Sequence, residues 1–97
     1  MAAFSDCTLG TGCVFTEANG GGARGTIPYS GFGDGHCHVL IAPYNNNVSS
    51  AIATYGGGHY LQLWGNSNCT GALGLAGSVP TNFVGSLNNV FSSFRII

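Results

Sequence analysis

The chain has no lysine, and Arg24 and Arg95 are its only strong cations. Charged residues fill 5% of its 97 positions, against about 25% in an average domain. That shortage removes whole classes of partner. No basic patch is available for a phosphate backbone, so nucleic-acid binding is not expected. The basic face of a membrane-surface helix is missing too, and no apolar run is long enough to cross a bilayer. Acids are equally scarce. Asp6, Glu17 and Asp34 are the only carboxylates, they are not paired for proton transfer, and no nucleophile motif accompanies a histidine, so the chain does not read as an enzyme. Helix signals are also lacking: 17 glycines are scattered through the chain, each of which weakens a helix, and no window keeps a 3.6-residue apolar period for three turns. Met1-Ala2-Ala3-Phe4 carries neither the basic start nor the apolar run of a signal peptide, so an exported form would have shed its leader.

What is present suffices for one small domain. Hydrophobic residues make up 44% of the chain and aromatics 11%, enough to form a core rather than a disordered segment. A domain of this size gains from a covalent staple. Cys7, Cys13, Cys37 and Cys69 supply an even count that favours disulfides and an oxidising, extracellular setting, with three pairings open. Asn47-Val48-Ser49 and Asn68-Cys69-Thr70 are glycosylation sequons, although weak ones in a chain so rich in Asn and Ser. The near-zero net charge lowers repulsion between copies and leaves a homodimer open.

Short β-type runs lie between glycine-rich turns. They are Cys13–Thr16, His36–Ala42, Ser50–Tyr55, Tyr60–Trp64, Ala72–Leu75 and Phe91–Ile97. The turn clusters are Gly20–Gly22, Gly31–Gly35, Gly56–Gly58 and Gly65–Asn68. Such spacing predicts an all-β sandwich or barrel.

The chain also repeats itself. Asn45-Asn46-Asn47-Val48-Ser49-Ser50 and Asn88-Asn89-Val90-Phe91-Ser92-Ser93 both read [Asn/Asp]-[Asn/Asp]-x-x-[Ser/Thr]-Ser. A shuffled chain of this composition would hold roughly 0.02 such matches. Phe15 is followed seven residues later by Gly22, and Trp64 likewise by Gly71. Each half therefore runs aromatic, spaced glycine, connection, Asn/Ser turn and apolar strand. Two units of four short strands would pack face to face, because one sheet alone cannot cover its apolar face. Amide oxygens, a hydroxyl and turn carbonyls are hard ligands suited to Ca²⁺. The same residues also cap turns without any metal.

With these motifs in hand, the chain resembles the βγ-crystallin family. Trp64–Gly71 is similar to that family's first hairpin, and Leu87–Ile96 to its final turn and strand. Phe15–Gly22 and Tyr44–Ala53 follow the same scheme more loosely. The resemblance implies two Greek-key motifs in a sandwich, with residues 1–12 as an N-terminal extension and 13–97 as a single domain (motif one about 13–55, motif two about 60–97). It implies two Ca²⁺ sites between the motifs. The hydroxyls of Ser49 and Ser92 and the backbone carbonyls of Asn47 and Val90 would ligate. The side chains of Asn45, Asn46, Asn88 and Asn89 would complete or brace the sites, and carbonyls at Thr16 and Gly65 would join them. Neither Asn/Ser stretch contains an Asp, so affinities of about 10⁻⁴–10⁻³ M are expected.

Two other constellations compete for a role. His36, Cys37, His38 and His59 contain transition-metal ligands, but along a strand His36 and His38 face opposite to Cys37, which is better read as a disulfide partner. Tyr29, Tyr44, Tyr55, Tyr60, Trp64 and His59 form a ring-rich set suited to stacking on glycans, or else to filling the core. The alternatives to a calcium-binding protein are a lectin or, as the resemblance implies, an antifungal-type defence protein on the same scaffold, and an inert structural or storage protein.

Overall fold

Inward apolar residues alternate with small or polar ones, and this pattern organises the described residues into eight short strands. The fold is described from a computed structural model covering residues 3–97. The strands are β1 (Thr11–Phe15), β2 (Arg24–Pro28), β3 (His38–Val39), β4 (Ser50–Ala53), β5 (Leu61–Trp64), β6 (Leu73–Ala76), β7 (Thr81–Asn82) and β8 (Ser93–Ile96). One helical turn, α1 (Tyr29–Phe32), follows β2. Two antiparallel sheets result, ordered β2-β1-β4-β7 and β3-β8-β5-β6. Each half keeps three strands in its own sheet and lends its third strand, β3 or β7, to the other. This is the two-Greek-key sandwich that the βγ-crystallin resemblance implied. No helix among the described residues is long and apolar enough to cross a membrane.

The core between the sheets is led by Val14, Val48, Leu61, Leu63 and Phe91, none more than 1% exposed. A pseudo-twofold relates the halves in detail. Phe15 pairs with Arg24 and Ser50, and Trp64 pairs with Leu73 and Ser93. Gly25 of β2 and Gly74 of β6 occupy matching inward positions. A side chain at Gly25 would meet the Tyr44 ring at 2.9 Å, and one at Gly74 would run into Phe91. Both glycines make room for an aromatic ring from the same half.

The strand ends differ from the sequence pattern where covalent and turn constraints intervene. The run His36–Ala42 shortens to His38–Val39, because Cys37 is joined to Cys69 and residues 42–46 form a turn. β2 and β7 carried no apolar run to announce them. Within residues 3–12, Thr11 and Gly12 belong to β1, and Phe4 and Cys7 pack on the outer face of the first sheet. The Phe4 ring meets Phe15 edge-on at 5.4 Å, and a second disulfide joins Cys7 to Cys13.

Candidate metal centre at two crossed arches

Each Asn/Ser stretch turns the chain sharply before a buried strand. The second asparagine of each adopts the left-handed conformation, with φ of 56° at Asn46 and 59° at Asn89, which Asn tolerates better than most residues. That turn aims each backbone at the other stretch. The Asn46 N–H donates to the Phe91 carbonyl at 2.6 Å, and the Asn89 N–H donates to Val48 at 3.1 Å. The side chains cross in the same way. Ser49 Oγ donates to Asn89 Oδ1 at 3.1 Å, and Ser92 Oγ donates to Asn46 Oδ1 at 3.0 Å. Neither stretch builds a site alone. Each cluster takes its serine from one motif and its amide from the other.

The hairpins complete the surroundings. The Ser49 N–H donates to the Phe15 carbonyl at 2.9 Å and the Ser92 N–H to the Trp64 carbonyl at 2.8 Å. Thr16 and Gly65, the next residues along, are thereby set close to the serines. Among the described residues, no donor bonds the carbonyls of Thr16, Asn47, Gly65 or Val90. A hydroxyl, an amide oxygen and uncommitted carbonyls at each arch fit a hard cation such as Ca²⁺. Asn46 and Asn89 are exposed, so the clusters open to solvent. The remaining asparagines act locally. Asn47 Nδ2 donates to the Pro43 carbonyl at 3.0 Å, a turn-capping role. Asn45 and Asn88 are exposed, and their N–H groups close turns onto Ile41 at 3.3 Å and Gly85 at 3.2 Å.

Sequence reasoning passed over the last serine of each stretch. Ser50 and Ser93 are fully buried. Ser50 Oγ donates to the Glu17 carbonyl at 2.7 Å and accepts from the Gly20 N–H at 3.0 Å. Ser93 Oγ donates to the Asn66 carbonyl and accepts from the Cys69 N–H at 3.0 Å. Each serine clamps the hairpin of its own half against the strand that follows the arch. The signal was available: the final Ser is as regular in the repeat as the ligand-type Ser before it.

Comparison with known proteins identifies the family and the fold. Residues 1–76 match the model of peptidase inhibitor family I36. The chain belongs to that family. The fold of this I36 member is the βγ-crystallin fold. An archaeal βγ-crystallin shares 20% identity over 93% of this chain and 100% of its own, with a TM-score of 0.68. A βγ-crystallin domain from Flavobacterium johnsoniae shares 22% identity over 89% and 92%, with a TM-score of 0.64. A double mutant of clostrillin, solved in complex with nickel, shares 20% identity over 89% and 95%, with a TM-score of 0.65. Among curated proteins, sequence comparison finds no match.

The other candidate residues of this I36 chain lie in several places. His59 and Tyr55 gather around Tyr29, at ring distances of 4.9 and 6.0 Å. The Tyr55 hydroxyl donates to the Ile27 carbonyl at 2.8 Å, and burial pushes its pKa well above the ordinary tyrosine value. Tyr44 instead covers Gly25, Tyr60 is exposed, and Trp64 stands opposite Leu73 on the second sheet. Of the six glycan candidates, Tyr29, Tyr55 and His59 meet. Cys37 is spent in its bridge to Cys69. His38 Nε2 lies 3.1 Å from Asp34 Oδ1 and His36 Nδ1 3.7 Å from Oδ2. The Asp34 carboxyl is held below its usual pKa, first by the His36 N–H and then by His38. His59 Nδ1 sits 3.0 Å from the Ile97 carbonyl. Among the described residues, no three His, Cys, Asp or Glu side chains gather to hold a transition metal.

Proposed function

We propose that this protein is an extracellular, calcium-stabilised domain that binds two Ca²⁺ weakly, one at each arch. The observation that carries the reading is the reciprocal crossing of Ser49 with Asn89 and of Ser92 with Asn46. At each crossing two hard oxygens already face each other, so an ion can replace one neutral hydrogen bond with two oxygen contacts. The bound ion would supply positive charge that draws neutral oxygens from both motifs together. With no carboxylate in either cluster, affinities of about 10⁻⁴–10⁻³ M are expected. The role is stabilisation rather than catalysis, since an ion that binds the native arches but not the unfolded chain raises stability by mass action. The two disulfides support an oxidising compartment. The test is thermal melting in EDTA and in about 10 mM Ca²⁺, roughly tenfold above the weakest affinity expected. The midpoint rises with calcium, and the rise disappears in the Ser49→Ala, Ser92→Ala double variant. Identical melting curves in both buffers would defeat the reading.

The family match favours a second reading, in which the calcium-braced scaffold inhibits a peptidase. A small, disulfide-bonded, non-catalytic domain suits that role. The test is titration against metallo-, serine and cysteine peptidases, with stoichiometric loss of activity expected for one class. Full activity of every class under excess protein rejects it.

A further inference from the structure

A sandwich of two four-stranded sheets has four edge strands, each presenting unpaired backbone groups that can recruit another strand. Three edges here are blunted. β3 and β7 are two residues long, and Pro80 directly precedes β7. β2 carries the exposed cation Arg24 and ends in Pro28. β6 has no such device. It reads Leu73-Gly74-Leu75-Ala76, without charge or proline, and its leucines are 40% and 50% exposed.

The ladder phase shows which β6 groups are free. The Gly65 N–H donates to the Ala72 carbonyl at 2.8 Å, so this pair is hydrogen-bonded. Antiparallel alternation then bonds Leu63 to Gly74. It leaves Leu73 and Leu75, opposite Trp64 and Gln62, with N–H and C=O pointing away from β5.

We infer that β6 pairs antiparallel with β6 of a second copy, joining two sheets into one eight-stranded sheet across a twofold axis. With Gly74 opposite its counterpart on the axis, Leu73 faces Leu75 of the second copy and Leu75 faces Leu73. Both are edge-directed pairs, and each exchanges two N–H···O=C bonds. The same register sets four leucines side by side on one outer face, flanked by Trp64. The occupant is a second copy because twofold contact brings every group against its own kind. A charged edge would repel itself, whereas an uncharged edge does not, and a net charge of −1 adds little opposition. Four residues of edge make a small contact, of the weak class below about 1,200 Å². This inference stands apart from calcium binding and from inhibition.

The experiment is sedimentation velocity on the intact protein from about 10 µM to about 1 mM, the range of weak association, with amide hydrogen exchange at both ends of the series. The average mass rises from one chain towards two. Exchange at Leu73 and Leu75 slows with concentration, while Arg24 and Thr26 on the equivalent β2 edge do not change. Leu75→Lys stays monomeric. Val39→Lys, which adds the same charge at the far edge of the same sheet, still dimerises. A monomer throughout, a dimer that Leu75→Lys leaves intact, or a dimer without slowed exchange at Leu73 and Leu75 overturns the inference. The exchange measurement decides the matter even if the β6 variant does not fold.

Discussion

If each calcium ion is held between the two Asn/Ser stretches rather than inside one, pairs of substitutions should divide by site and not by motif. Ser49 and Asn89 lie 40 residues apart yet share one cluster, and Ser92 and Asn46 share the other. The Ser49→Ala, Asn89→Ala variant therefore loses one site and keeps its twin. The Ser49→Ala, Asn46→Ala variant, confined to a single stretch, loses both. At about 10 mM Ca²⁺ and a dissociation constant near 10⁻³ M, mass action contributes about 1.4 kcal/mol per site. For a domain of this size each kcal/mol moves the midpoint by about 4–8 °C, so wild type gains roughly 10–20 °C, the first variant about half of that, and the second close to nothing. Each substitution also removes a hydrogen bond worth about 0.5–1.5 kcal/mol without metal. The calcium increment must therefore be read as the difference between EDTA and Ca²⁺ for the same variant. Isothermal titration supplies the independent count of two, one and no ions. The reasoning fails if the single-stretch variant keeps one ion while the cross-stretch variant binds none.

Three further outcomes follow from other parts of the molecule. Ser93→Ala removes a buried hydroxyl and leaves the part-buried Asn66 carbonyl and Cys69 N–H unpaired, at up to about 1–3 kcal/mol each, and a chemical denaturation loss under about 1 kcal/mol would make the clamp dispensable. Replacing Cys37 and Cys69 by Ser opens a 32-residue separation, worth about 3.7 kcal/mol by chain entropy, while the Cys7–Cys13 pair should yield about 2.2 kcal/mol, and equal losses in denaturant titrations would contradict that ordering. Alkaline stability should fall above about pH 10, where the unfolded chain ionises Tyr55 and the folded chain does not. The stability this group contributes is complete below the unfolded pKa and declines as pH rises towards the folded one. Tyr55→Phe should flatten the decline between pH 9 and about 11, and an unchanged slope would place the alkaline loss elsewhere.

The parts of the fold legible in the sequence were those with a repeated local signature. The aromatic-to-glycine spacing at Phe15–Gly22 and Trp64–Gly71 located both hairpins, and the Asn/Ser stretches located both arches. β2 and β7 escaped because their edge positions are polar or tiny: Arg24, Gly25 and Thr26 in one, Thr81 and Asn82 in the other. An edge strand needs only one buried face, and here that face is supplied chiefly by Ile27 and the neighbouring Phe83. The stretches also declared ligand-type oxygens without revealing which would meet. That pairing depends on β3 and β7 exchanging sheets, which brings Asn46 beside Ser92 and Asn89 beside Ser49. The same exchange carries Cys37 to Cys69, one of three pairings that spacing alone could not separate.

Neutral arches should also behave differently from acid-rich ones when metal is withdrawn. Carboxylates gathered for a divalent ion repel one another in its absence, so such a site opens or loses order without calcium. Here Ser49 and Ser92 donate to the amide oxygens they would share with an ion, so each arch is already closed by its own hydrogen bond. On the proposed reading, calcium at these arches would deepen an existing well instead of creating the native state. The seam does not depend on metal alone, because the Cys37–Cys69 bridge and the exchanged strands also fasten the halves. A chain so poor in charge would give up affinity for the ion and in return stay folded where calcium is scarce.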